Sequence, residues 1–153
     1  MKVFYVDSSA WIKRFCLEDG SDRVARFFAA GPTVGCSALG LVEVLCTLTR
    51  KEKAGEMDGS DVTTKCREAE RDFSLFYKVF LTPALLRDAN VCARRHALRG
   101  ADTVHLASCL EWRRRMAPRG AVVAMVSCDA ELLDGARQCG METYDPEVEP
   151  VPT

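Results

Sequence analysis

The chain has 153 residues, 48% of them hydrophobic and 28% charged, with a net charge of −1 at pH 7. This length fits one domain with its own core, and the balanced composition excludes a disordered, collagen-like or coiled-coil chain. No apolar run approaches the roughly 20 residues that a membrane helix needs, and the first strand pattern begins without a signal peptide.

Short apolar strands alternate with helices along the chain. In its first half, the patterns predict a strand over 2–7, helices over 8–19 and 21–31, a strand over 33–37, and helices over 38–55 and 58–80. In its second half, they predict a strand near 79–82, helices over 82–100 and 101–116, a strand over 121–127, a helix over 129–140 and a strand over 141–145. The alternation predicts an α/β fold, with a mostly parallel sheet covered by helices on both faces.

Eight cysteines are spread along the chain, and none forms a Cys-x-x-Cys pair. A zinc ribbon and a disulfide scaffold are therefore disfavoured, and most of the cysteines fit helical patterns as small hydrophobic residues. We predict a reduced, cytoplasmic protein.

Two acids follow predicted strands directly. Asp7 ends the first strand, and Asp129 comes after the apolar run AVVAMVS. Ligands of open parallel sheets bind beyond the carboxyl ends of the strands, which makes both acids site candidates. Either one could instead cap the helix that follows it.

Two further acids lie inside predicted helices. Glu43 is flanked by apolar residues and shares a helical face with Leu39 and Cys46, so its carboxylate needs a metal, a cation or hydrogen bonds. An internal salt bridge to an arginine is the alternative for Glu43. Asp102 lies in the first turn of its helix, where the helix dipole alone favours an acid.

Taken together, the four acids indicate a metal site. Carboxylates that share a crevice raise one another's pKa, and a hard divalent cation resolves this conflict. Oxygen ligands suit Mg²⁺ or Mn²⁺, and the sequence has no histidine or cysteine cluster for a softer metal. Such ions support phosphodiester hydrolysis.

Four motifs occur in order along the chain: DSSAWIK, ALGLVEV, RGADTVHLASCL and SCDAELLDGARQCGM. With them, essentially the whole chain resembles the PIN-domain ribonucleases, most closely the VapC-like toxins of type II toxin–antitoxin systems. The resemblance implies a PIN-like three-layer α/β/α sandwich over 1–146, and the Pro-rich end at 147–153 predicts a flexible tail. It also implies an endoribonuclease that uses Mg²⁺ or Mn²⁺ to hydrolyse RNA.

The resemblance also assigns residues and partners. Asp7, Glu43, Asp102 and Asp129 match the four metal-binding acids of the family in order, and Ser8 matches the small residue that supports the site. Members of the family form homodimers and pair with a small antitoxin that blocks the site. We expect both for this chain.

Candidate RNA contacts surround the third acid. Arg94, Arg95 and Arg99 lead into the turn before Asp102, and arginine binds phosphate bidentately. His105 lies three residues after Asp102 on the same helical face, where it could touch a phosphate, accept a proton or simply pack.

Two alternatives stay open on the sequence alone. One is a PIN-like RNA- or protein-binding module without catalysis. The other is an aspartate-based phosphatase or phosphoacceptor, because these also place an acid after the first strand. Dehalogenase-type phosphatases usually have a second aspartate two residues later, and that position is Ser9 here.

Overall fold

A computed structural model describes residues 1–152, and it places five parallel strands of this range in one sheet. The strands are β1 (Lys2–Val6), β2 (Val34–Ser37), β3 (Tyr77–Val79), β4 (Val122–Val126) and β5 (Glu142–Tyr144). Their order is β3-β2-β1-β4-β5, so β1 is central. Because all the strands are parallel, their carboxyl ends meet at one edge of the sheet.

Seven α-helices of the described range cover the two faces of the sheet. They are α1 (Ser8–Trp11), α2 (Ser21–Ala29), α3 (Ala38–Lys53), α4 (Gly59–Leu75), α5 (Pro83–His96), α6 (Gly100–Met116) and α7 (Ala130–Gln138). Two short 3-10 helices, Ile12–Arg14 and Ala117–Arg119, follow α1 and α6. The predicted α/β/α architecture is confirmed.

Strand β1 supplies side chains to both cores, because successive residues of a strand face opposite sides of the sheet. Val3 and Tyr5 pack in the core beneath α5, α6 and α7. Phe4 and Val6 pack in the second core, beneath α1 to α4. The continuous apolar run is thus explained by burial on both faces.

The first predicted helix, 8–19, is wrong in its extent. The α-helix ends at Trp11 and one 3-10 turn carries the chain to Arg14. The hydroxyl of Ser21 then takes over two backbone groups: it donates to the carbonyl of Cys16 at 2.7 Å and accepts from the amide of Glu18 at 2.8 Å. These side-chain bonds replace the backbone bonds that would continue the helix.

The predicted helix over 58–80 also runs too far, and the predicted strand near 79–82 is displaced. Helix α4 ends at Leu75, and Phe76 adopts an extended backbone as its ring packs in the second core. Strand β3 begins at Tyr77 because its backbone pairs with β2. Tertiary pairing thus overrides the helical pattern of this segment.

The C-terminal residues contact α2 and the first 3-10 helix. The guanidinium of Arg23 donates to the carbonyls of Pro146 and Glu147, each at 2.8 Å, and Lys13 pairs with the Glu147 carboxylate at 2.6 Å. Val151 is buried. The boundary at 146 stays a prediction, and Thr153 of the predicted tail lies outside the described residues. Within residues 1–152, the structure contains no helix of the length and hydrophobicity that crossing a membrane requires.

Candidate active site

All four predicted acids line one cavity of about 310 Å³ at the carboxyl edge of the sheet. Asp7 follows the central strand, and Asp129 follows β4 and caps α7. Glu43 projects from α3, which begins directly after β2, and Asp102 lies in the first turn of α6. The parallel topology explains why residues so distant in sequence meet here.

Asp7 is buried and held on one side by hydroxyl groups. Its Oδ2 accepts from Ser9 Oγ at 2.6 Å, from Ser127 Oγ at 3.0 Å and from the Ser9 amide at 3.2 Å. Among residues 1–152, the polar contacts of the Oδ1 atom are with Ser8 Oγ at 3.5 Å and His105 Nε2 at 3.3 Å. Asp7 therefore keeps Oδ1 for a further ligand.

His105 links the carboxylates to the core. Its Nε2 lies 2.6 Å from Glu43 Oε2, and its Nδ1 lies 2.9 Å from the hydroxyl of Tyr5. The Tyr5 hydroxyl also accepts from the amide of Ser37 at 3.2 Å. Because carboxylates only accept, Nε2 of His105 carries a proton.

The charges of this group shift the titration of His105. Burial opposes the charged imidazole, yet the carboxylates of Asp7 and Glu43 outweigh burial and raise the pKa of His105 above its ordinary value. Burial raises the pKa of Tyr5 well above its ordinary value, so its hydroxyl stays protonated. The histidine is thus a hydrogen-bond donor to the acids.

Arg99 joins the other two acids on the rim of the cavity. Its Nε donates to Asp102 Oδ2 at 3.1 Å, and its terminal NH2 group donates to Asp129 Oδ2 at 2.8 Å. Burial and the neighbouring charge of Asp129 raise the pKa of Asp102 despite this contact. Arg99 therefore does not fully offset the negative charge of the carboxylates in the cavity.

The donor set fits a divalent cation. Ligand-capable atoms of Asp7, Glu43 and His105 lie within 4.8 Å of one another, a group that does not include Asp102 or Asp129. Oxygen atoms from two carboxylates suit Mg²⁺ or Mn²⁺. The imidazole beside them is a feature that the oxygen-only prediction did not contain.

The supporting residues differ from the expected ones. Ser8 makes only the long 3.5 Å contact with Asp7, whereas Ser9 and Ser127 hold the carboxylate closely. Sequence analysis missed Ser127 and the Tyr5 contact. The available signal was that Ser127 ends the apolar strand run two residues before Asp129.

The predicted RNA contacts occupy different environments. Arg94, Arg95 and Arg99 are exposed, and the side chain of Arg99 is 75% accessible. His105 is 1% accessible, and both of its ring nitrogens face protein groups. This burial favours the alternative in which His105 packs against protein groups, and a contact between His105 and RNA stays a prediction.

A five-stranded parallel sheet between two helical layers, with acids at its central carboxyl edge, defines the PIN-like class of fold. Solved structures agree. The Mycobacterium tuberculosis VapC20 structure, described as a Sarcin-Ricin loop cleaving toxin, gives a TM-score of 0.64 at 19% identity, covering 96% of this chain and 99% of that one. A toxin–antitoxin complex from Klebsiella pneumoniae gives 0.64 at 12% identity, covering 93% and 96%.

Sequence relatives define the family. Ribonuclease VapC45 of M. tuberculosis strain CDC 1551 / Oshkosh is 32% identical over 154 residues, covering 98% of this chain and 100% of the relative. Ribonuclease VapC49 of strain H37Rv gives the same identity and coverage. The sequence matches no family model. At this identity over nearly the full length, the chain belongs to the VapC family of ribonucleases.

Proposed function

We propose that this VapC-family protein is a divalent-metal-dependent endoribonuclease, the toxin of a toxin–antitoxin pair, and that it cleaves RNA at the four-carboxylate cavity. The observation that carries the proposal is the meeting of Asp7, Glu43, Asp102 and Asp129 around one cavity. Membership of the VapC family of ribonucleases indicates RNA cleavage, and the cavity is the proposed site of this reaction.

Mg²⁺ or Mn²⁺ is the proposed cofactor. When bound, such an ion supplies an activated water and offsets negative charge on the phosphate. Asp7 is the central ligand in our proposal, because hydroxyl groups occupy its Oδ2 and leave Oδ1 towards the cavity. Asp102 and Asp129 add two further carboxylates to the lining of the cavity.

Glu43 serves as a ligand or as the general base that takes the proton of the attacking water. The Glu43 side chain is 29% accessible, and His105 Nε2 lies 2.6 Å from one of its carboxylate oxygens. A base needs a defined position relative to the proton that it accepts. The hydrogen bond from His105 provides that position, so we assign His105 a positioning role.

RNA binding is assigned to three exposed arginines, one of which lines the cavity. Arg94 and Arg95 lie in the last turn of α5, and Arg99 stands at the cavity rim. Phosphate contacts from arginine fix the register of a nucleic acid without reading its bases. Arg99 can also approach the cleaved phosphate from its place between Asp102 and Asp129.

The proposed partners are a small antitoxin and a second copy of the chain, in the cytoplasm. An open cleft of about 760 Å³, largely apolar, runs beside the cavity, and Ser8, Ser9 and Glu43 line both. Exposed Val42 and half-buried Leu45 contribute to its wall. An antitoxin segment seated in this cleft would cover the acids, which is how we propose that inhibition occurs.

The test is RNA cleavage with controlled metal. The purified protein, stripped with EDTA, is mixed with a structured RNA, and Mn²⁺ or Mg²⁺ is then added back. We expect internal cleavage of the RNA only in the presence of the divalent ion. Gel electrophoresis and sequencing of the RNA ends detect the cuts. Cleavage that continues unchanged in EDTA would overturn the proposed metal dependence, and no cleavage with either ion on any RNA class would overturn the activity.

A further inference from the structure

We propose that Cys139 is a covalent modification site at which His96 activates the thiol for exchange with small disulfides. Cys139 follows the last residue of α7, whose first turn is capped by Asp129 of the cavity. Nine helical residues separate the two positions, a length of about 14 Å, so this site is distinct from the carboxylate cavity.

Four side chains contact one another in series at this site. Cys139 Sγ lies 3.5 Å from His96 Nε2, and His96 Nδ1 lies 3.1 Å from Gln138 Oε1. The amide nitrogen of Gln138 in turn donates to Asp134 Oδ2 at 2.7 Å.

Each contact in this series fixes the orientation of the next side chain. The Asp134 carboxylate only accepts, so it holds the amide nitrogen of Gln138 and turns the amide oxygen towards His96. An amide oxygen also only accepts, so the proton of neutral His96 resides on Nδ1. The lone pair of Nε2 therefore faces the thiol of Cys139.

A nucleophile beside a base that a third group orients is the arrangement that activates thiols and hydroxyls. The reactive species is the thiolate, and positive charge nearby favours it. Arg113 donates to the carbonyl of Cys139 at 2.8 Å, which brings a guanidinium to the same residue. The thiol, a base and a cation are thus brought together by α5, α6 and the end of α7.

Access and charge define the reagent class. Cys139 is half-buried, and a cavity of about 400 Å³ opens next to the dyad, with His96 and Gln138 in its wall. Glu131 and Asp134 also line this cavity. Their carboxylates favour a cationic or neutral disulfide over an anionic one.

The exchange step balances without an additional oxidant. The Cys139 thiol gives its proton to His96 Nε2, and the sulfur attacks one sulfur of the small disulfide. A mixed disulfide forms, and the sulfur–sulfur bond of the reagent breaks. The departing thiolate takes the proton from His96 and leaves as a thiol.

Other cysteines of the chain provide internal controls. Cys46 is exposed, and the described hydrogen bonds give its thiol no basic partner. Burial raises the pKa of the Cys128 thiol to about 12, and it raises the pKa of Cys109 well above its ordinary value. If exposure alone determined the rate of disulfide exchange, Cys46 would react fastest, whereas our proposal predicts that Cys139 reacts fastest.

The experiment treats the full chain with the cationic disulfide cystamine and follows each cysteine by quenched peptide mapping. We expect Cys139 to react on the order of tenfold faster than Cys46, less than the roughly 10²–10⁴-fold that a positioned general base contributes in enzymes. His96→Gln should remove this advantage at Cys139 alone, and Arg87→Gln, an exposed change on the same helix, should keep it. Glutathione disulfide, which is anionic, should react more slowly than cystamine.

Reaction of Cys139 no faster than Cys46 in the unmodified sequence would overturn the proposal. An unchanged Cys139 rate in His96→Gln would overturn it as well. If circular dichroism shows that His96→Gln does not fold, Gln138→Leu provides the same test, because it removes the group that orients His96. An unchanged rate in that folded variant contradicts the proposal equally.

Discussion

The imidazole Nε2 of His105 lies 2.6 Å from Oε2 of Glu43, and this partly buried contact joins helix α6 to helix α3. The same nitrogen lies 3.3 Å from Asp7 Oδ1, so one buried donor serves two acids. The hydroxyl of Tyr5, on the central strand, lies 2.9 Å from the other ring nitrogen, Nδ1. Three separate elements are thereby fixed around one metal-binding position.

Replacement of His105 should weaken metal binding. His105→Ala removes the donor that orients Glu43 and Asp7, and loss of such a supporting contact lowers metal affinity by about 10–100-fold. We expect His105→Gln, whose amide can donate from a similar place, to recover part of the loss. Calorimetric titration with Mn²⁺ measures both. Cys109→Ala, a buried change on the same helix, controls for a general loss of packing. If His105→Ala bound Mn²⁺ as tightly as the unmodified protein, the positioning role of His105 would be refuted.

Arg99 should compete with the metal. Its guanidinium contacts both Asp102 and Asp129, and because its side chain is largely exposed, solvent screens these two ion pairs and keeps them weak. Arg99→Gln should therefore bind Mn²⁺ about two- to fivefold more tightly in the absence of RNA. Arg87→Gln, which removes an exposed arginine of α5, should leave the affinity unchanged. A weaker affinity in Arg99→Gln would show that the arginine assists the metal instead.

The raised pKa of Asp102 predicts a pH-dependent stability change. A raised pKa means that the folded chain binds this proton more tightly than the unfolded chain, so ionised Asp102 lowers stability at neutral pH. Asp102→Asn should raise the free energy of unfolding of the metal-free protein at pH 7. The gain should disappear near pH 3, below the ordinary pKa of about 3.9, where the carboxyl is protonated in both states. Urea unfolding in EDTA at the two pH values checks this, and a destabilised variant at pH 7 would contradict it.

Gly35 should be essential for packing between the sheet and α6. A Cβ at this position would lie 2.7 Å from ring carbons of the buried Trp112, closer than atoms can approach. Gly35→Ala should therefore lower the free energy of unfolding by about 1–3 kcal/mol. Gly100→Ala is the matched control, because nothing lies within 4 Å of its added Cβ. Equal stability of the two variants in urea would be inconsistent with this packing.

Much of the fold could be predicted from local patterns. The apolar runs before Asp7 and Asp129 gave the central strands, and the rule for parallel sheets placed both acids at one edge. Glu43 was recognisable because a charge on an apolar helix face needs a partner. These inferences use only the chemistry of neighbouring residues.

The rest depended on contacts between distant segments. Ser21 ended the first helical stretch through its side chain, and pairing with β2 converted Tyr77 from helix to strand. The hydroxyl of Ser127 contacts Asp7, 120 residues away in sequence, and Ser9, 118 residues away. No periodicity encodes such contacts, and the family resemblance points to Ser8 instead.

The most direct test of the central claim compares Asp7→Asn with Asp19→Asn in RNA cleavage with Mn²⁺. Asp19 is an exposed acid outside the cavity, so the same chemical change there should leave activity intact. We predict that Asp7→Asn folds, as judged by circular dichroism, but loses cleavage and Mn²⁺ binding. Full cleavage by a folded Asp7→Asn protein would contradict the assignment of this cavity as the catalytic site.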